Sequence, residues 1–296
     1  MTAAWLIAAA SLLFATMGVC VKLASASYAS TEIVFYRGLV GLVMIAVVAR
    51  LNGQSLATPV PAMHLWRSVV GVTSLCLWFY AIGRLPLATA MTLNYMSSVW
   101  MALFMMGGAV MLGSARVDSR LVAAVLTGFV GVALILRPTV EQDQIWHGLA
   151  GLASGVLAAM AYLQVTALGR AGEPETRVVF YFSLGGVVVG AALSVPSGFS
   201  EHSWEGLGLL LAVGILATVA QLMMTRAYAT GRTLVNASLQ YLGIAFSFGY
   251  GVILFDDPVT PLALAGMLLI VGAGLAAVRL RPSAPTAQAV RTPPET

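Results

Sequence analysis

Two short stretches concentrate the polar side chains of an otherwise apolar chain. The first carries Thr89, Thr92, Asn94, Tyr95, Ser97, Ser98 and Trp100; the second carries Asn236, Ser238, Gln240, Tyr241 and Ser247. Amides both donate and accept, so Asn94 and Gln240 can hold an ammonium and a carboxylate without fixing a net charge. Tyr95, Tyr241 and Trp100 add flat apolar walls and cation–π attraction for a bound ammonium. Such residues bind a ligand reversibly rather than cleave it. The serines and threonines serve equally well as hydrogen bonds between helices. Trp78, Tyr80, Tyr162, Gln164 and Gln221 are further candidates, interior to apolar segments and suited to cavity lining or to packing. Arg37 is the sole charge well inside an apolar stretch. It either snorkels and pairs with Glu32 or meets a substrate carboxylate near the outer surface.

Residues for catalysis are missing from this pattern. There is no HExxH and no GxSxG, and His64, His147 and His202 stand apart from one another. No catalytic residue, metal site or cofactor is expected. The single lysine, Lys22, is followed by Leu23, so no GxxxxGK[ST] loop can cradle ATP. Cys20 and Cys76 both lie in apolar runs and read as packing residues.

Composition says what must hold these residues. Of 296 residues, 59% are hydrophobic and 9% charged, against about 25% charged in a soluble domain. Mean hydropathy is +0.92. A water-soluble enzyme, a disordered regulator and a disulfide scaffold are excluded, and a polytopic membrane protein remains. The basic excess (15 Arg and Lys against 11 Asp and Glu) sits between apolar segments, not in a stripe, so nucleic acid is not an expected partner.

A bilayer core needs about 20 apolar helical residues. Ten segments qualify: 3–23, 31–49, 64–82, 87–111, 118–136, 147–168, 176–195, 205–225, 233–255 and 259–278. Eight prolines fall between segments or at their ends, where they act as stops. The stretch 282–296 is polar and proline-rich and is expected to be a disordered cytoplasmic tail. With the N-terminus inside, the inner loops and tail hold eleven arginines, Arg67 among them, and the outer side holds Lys22, Arg84 and Arg137. The bias puts both termini in the cytoplasm. The first apolar stretch lacks a basic leading region, so it reads as a span and not a cleaved leader.

The halves repeat. EIVFYRGLVG at 32–41 matches RVVFYFSLGG at 177–186; Tyr80-Ala81-Ile82-Gly83-Arg84 matches Tyr228-Ala229-Thr230-Gly231-Arg232. Leu93-Asn94-Tyr95 matches Leu239-Gln240-Tyr241, and Arg137-Pro138 matches Arg281-Pro282. Four matches in one order at offsets of 144 to 148 mark a duplication. A five-helix unit that starts inside ends outside, so its copy must be inverted. Inverted repeats characterise secondary transporters, with substrate near the midplane between the halves. The expectation is an all-α integral membrane protein of ten transmembrane helices in two inverted five-helix repeats, 1–138 and 146–281.

With these repeats the sequence resembles the drug/metabolite transporter superfamily and its EamA-type ten-helix exporters, and within them the YddG-type amino-acid exporters. The resemblance implies alternating-access export of small neutral, aromatic or aliphatic amino acids or related metabolites across a bacterial inner membrane. It implies a small-molecule substrate and a lipid surround, and no ATP. Other metabolites or lipophilic drugs are the alternative cargo, and an intramembrane lipid-processing enzyme is the alternative class. The substrate cavity is expected to be polar and aromatic, not charged.

Overall fold

The computed structural model describes residues 2–111, 144–231 and 233–279, with positions 123, 126–128, 130, 131 and 134. Most of the fifth expected span (118–136), the two Arg-Pro pairs and the tail from 282 lie outside the described residues.

Every described element is helical: α1 (Ala3–Ala24), α2 (Ser30–Leu51), α3 (Pro61–Ile82), α4 (Leu87–Tyr95), α5 (Ser97–Met111), α6 (Gln144–Arg170), α7 (Glu175–Ser194), α8 (Trp204–Thr230), α9 (Thr233–Leu239), α10 (Leu242–Phe255) and α11 (Pro261–Arg279). A short 3₁₀ turn, Val195–Ser197, follows α7. Seven helical stretches among the described residues are long and apolar enough to cross a membrane. Pro61 opens α3, and Pro86 and Pro174 precede α4 and α7. At these places the missing N–H costs no helical hydrogen bond. Ser203 caps α8 by accepting from the Gly206 N–H at 3.0 Å.

Two expected spans are interrupted. The 87–111 span divides at Met96 into α4 and α5, and the 233–255 span divides at Gln240–Tyr241 into α9 and α10. Next to both interruptions the hydrogen bonding tightens to three-residue spacing: Val99 N donates to Met96 O at 2.9 Å, and Gly243 N to Gln240 O at 2.9 Å. The interruptions fall at the Leu-Asn-Tyr and Leu-Gln-Tyr match. Broken spans of this kind survive in a bilayer only where protein or a cavity surrounds the loosened backbone.

Repeat-equivalent helices run antiparallel. The start of α2 meets the end of α7, where Ser194 Oγ donates to Thr31 Oγ1 at 3.0 Å. Beyond the end of α2, Leu56 O accepts from Tyr181 Oη near the start of α7 at 3.1 Å. Between these ends the backbones close on small residues. A methyl group on Gly38 would stand 2.8 Å from Ser183 O, and one on Gly41 would stand 2.7 Å from Ser183 Oγ. The other cross-half packings come in matching pairs as well. Helix α1 packs along α8, and α3 along α6, the same pair of positions with the halves exchanged. Ala3 meets Gly231 while Tyr28 meets Gly206, so α1 and α8 are also antiparallel. This exchange symmetry puts a shared interior between the halves.

Candidate functional site

Helix periodicity on α3 builds one wall of that interior. Arg67, Gly71, Ser74 and Trp78 follow one another at spacings of four, three and four, which is one face of a helix. All four line an internal cavity together with Phe14, Met17, Arg37, Leu75, Asn94, Tyr95, Ala158, Ala161, Tyr162, Phe182 and Gln221. Both halves contribute. The cavity holds about 40 Å³ of water-accessible space. A single water needs roughly 10–15 Å³ on that measure, so the space admits a few waters.

Charge sets the cavity's character. Arg37 and Arg67 are 4% and 2% exposed. Their guanidinium carbons lie 4.9 Å and 4.2 Å from the centroid of the Phe182 ring. Arg37 Nε and Arg67 Nε and Nη1 are buried with no hydrogen-bond partner. No carboxylate among the described residues is within ion-pair distance of either: Glu32 is taken by Ser200 and His202 instead. The expected pairing of Arg37 with Glu32 is therefore not made, and the expectation of an uncharged cavity is corrected. Arg67, counted from sequence as a loop arginine, sits six residues into α3 and faces inward. The signal for it was the Arg-Gly-Ser-Trp spacing on α3. Gly71 makes the room, since a methyl group there would collide with the Arg67 guanidinium.

The other expected site residues divide. Trp78, Asn94, Tyr95, Tyr162 and Gln221 join Arg37 on the cavity wall. Asn94 is also a helix tie: its Nδ2 donates to Ser154 Oγ at 2.9 Å, and Ser154 O accepts from Ser74 Oγ at 2.8 Å. Gly155 lets the α4 break approach, because a methyl group there would stand 2.6 Å from Leu93 O. Tyr162 stacks on Tyr228 with centroids 5.4 Å apart. Gln240 and Tyr241 are buried behind the cavity. The Gln240 amide contacts Met224 Sδ at 3.5 Å and the Tyr162 hydroxyl, and Tyr241 sits beside Ser98. Tyr80 lies away from the wall, under Arg84 at 4.1 Å and beside His147 at 5.4 Å. Trp100 and Gln164 are half-buried and do not line the cavity.

Ionic clusters tie the two ends of the bundle. At one end Glu173 accepts from Arg177 Nη1 at 2.9 Å and lies 2.8 Å from His64 Nε2. Burial alone would raise the Glu173 carboxyl; hydrogen bonds with His64 and Arg177 outweigh it and hold the group below the usual carboxylate value. At the other end Lys22 meets Asp257 at 3.2 Å, and Asp257 Oδ2 accepts from the Leu87 N–H at 2.8 Å. Among the described residues, no group of three His, Cys, Asp or Glu side chains could hold a metal ion.

The sequence pattern of the EamA-like transporter family matches residues 1–137. The pseudopaline exporter CntI of Pseudomonas aeruginosa (strain UCBPP-PA14) is 33% identical over 279 residues, covering 92% of this chain and 94% of the relative. A riboflavin transporter of Rhizobium johnstonii is 30% identical over 210 residues, covering 69% of this chain and 66% of its own. An S-adenosylmethionine uptake transporter of Rickettsia bellii is 21% identical over 258 residues, with 83% and 82% covered. A solved crystal structure superposes with a TM-score of 0.66 at 20% identity, covering 94% of this chain and 96% of that one, which speaks for the fold alone.

Proposed function

Since this chain belongs to the EamA-like transporter family of the drug/metabolite transporter superfamily, we propose that it exports amino acids or related small metabolites across the bacterial inner membrane. It does so by alternating access, as two inverted five-helix units, 1–138 and 146–281, rocking about the interior they share. The arginine-rich ends face the cytoplasm.

One observation carries this reading: helices of both halves line a single cavity, which presents Asn94, Tyr95, Trp78, Tyr162 and Gln221. Rocking one half against the other opens such a chamber to each side in turn. The α2–α7 crossing is suited to the pivot. Its small residues let the backbones touch. The clusters at Glu173 and at Asp257 sit at opposite ends, where an inner and an outer gate belong. The relatives named above differ in cargo and in direction, so cargo must be argued from the chamber itself.

The test is flux in proteoliposomes without nucleotide, using a panel of labelled amino acids with and without a pH gradient. Movement of one or more of them supports the reading. Movement of drugs or lipids alone overturns the amino-acid cargo, and chemical turnover of a solute points to an enzyme.

A further inference from the structure

We propose that the cargo is net anionic, with carboxylates that bridge Arg37 and Arg67, and that the membrane potential drives it outward as a uniport. The proposal rests on the transporter reading above and names its substrate class and energy source.

The unsatisfied atoms of the chamber carry the argument. Among the lining residues, the buried side-chain atoms without a partner are Arg37 Nε, Arg67 Nε and Nη1, Trp78 Nε1, Gln221 Nε2 and Tyr95 Oη. Five are N–H groups and the sixth is a hydroxyl that can donate. Among the described residues, no acid lines the cavity. A neutral zwitterion would leave two guanidinium charges buried without a counter-charge, which is costly. A ligand rich in carboxylate oxygens satisfies the donors and neutralises the charge, and guanidinium forks match carboxylates two bonds at a time. Cation–π contact with Phe182 offsets only part of the burial cost.

Position adds a pathway. Arg37 is seven residues from the start of α2, and Arg67 six from the start of α3, at the opposite end of the bundle. Their Cα atoms therefore stand about 10 Å and about 9 Å from opposite ends, yet both guanidiniums reach Phe182. A carboxylate can pass from one to the other without leaving positive surroundings. Phe182 is the repeat counterpart of Arg37, so this charge is a property of the site and not of the duplication. An anion moving out of a cell that is negative inside gains about fifty-fold in equilibrium concentration ratio per net charge per 100 mV.

Purified protein tests the ligand class by thermal shift with citrate, succinate, glutamate and leucine. At least one of the three carboxylates should stabilise it where leucine does not, and Arg37→Gln and Arg67→Gln should each weaken that binding tenfold or more. Arg37→Lys and Arg67→Lys keep the charge and should keep part of the affinity; size-exclusion profiles check that each variant is folded. In proteoliposomes the carboxylate that binds should leave faster when valinomycin and potassium set the interior negative, and net flux should reverse with the potential. Stabilisation by leucine alone, stabilisation by none of the carboxylates, undiminished binding in both glutamine variants, or flux blind to potential each overturns the proposal. If no solute crosses at all, the transporter reading fails, and the thermal-shift arm still decides the charge of the ligand.

Discussion

Gly38 on α2 rests against Gly186 on the antiparallel α7: a methyl group built on Gly38 would stand 3.0 Å from the Gly186 carbonyl carbon and 2.8 Å from Val187 N. Shifted by the repeat offset of 145, this contact becomes Gly41 against Ser183, which the structure also contains. A contact that maps onto its own partner when the halves are exchanged is the signature of a two-fold axis between inverted copies.

That crossing makes the first prediction. The atoms facing Gly38 are backbone and cannot turn aside. Gly38→Leu should cost about 1–3 kcal/mol, the usual price of overpacking, read as a lower melting temperature in detergent. Gly208→Leu is the control, since nothing stands within 4 Å of a methyl group there. Equal melting temperatures for the two variants would contradict the crossing.

The second concerns the chamber wall. Gly71→Ala leaves every charge in place but pushes the Arg67 guanidinium off its seat. Transport should fall several-fold while expression and melting temperature stay near wild type. Unchanged flux would mean that the position of Arg67 does not matter.

The third separates residues on the wall from those behind it. Tyr95→Ala removes a wall residue and should impair transport strongly with expression near normal. Gln240→Ala, which acts through Tyr162, should impair it less. Gly243→Ala should mimic part of the Tyr95 loss, because a methyl group there would stand 2.6 Å from the Tyr95 ring and hydroxyl. Full activity in both Tyr95→Ala and Gln240→Ala would remove the amide and tyrosine cluster from the site.

The fourth is a pH dependence. The Glu173 carboxyl is held below its usual value in the folded protein. Its contribution to stability is therefore present in full above the ordinary carboxylate value and is lost as pH falls through the lowered folded value. Melting temperature should drop on acidification in the wild type, and Glu173→Gln should start lower and respond less to the same change. Parallel pH curves would show that the His64–Glu173–Arg177 cluster does not stabilise this end.

Much of the architecture was legible because a bilayer permits few solutions. Long apolar runs and bounding prolines sufficed for the described helices, and the matches at 32–41/177–186 and 93–95/239–241 fall on the antiparallel α2 and α7 and at the two broken spans. The breaks at Met96 and Gln240–Tyr241 were not legible, since no proline marks them; the first is approached by Gly155 of the opposite half, which sequence spacing does not reveal. Within the site, Arg37, Asn94 and Tyr95 stood out as polar residues in apolar surroundings. Arg67 did not, because hydropathy alone cannot tell an arginine near a helix end that reaches the cytoplasm from one that turns inward. Only the four-three-four spacing to Gly71, Ser74 and Trp78 distinguishes them. Tyr80 and Tyr228 match in sequence yet diverge in place, one at an end of the bundle and one stacked inside, as expected when two copies specialise.

The central claim is a chamber between inverted halves that opens to each side in turn. Its most direct test replaces Ala158 on the cavity wall by Cys, in a background with Cys20→Ala and Cys76→Ala. A membrane-impermeant thiol reagent is then applied to right-side-out and to inside-out vesicles. Labelling from both faces is the predicted result; labelling from one face only, or from neither, contradicts it.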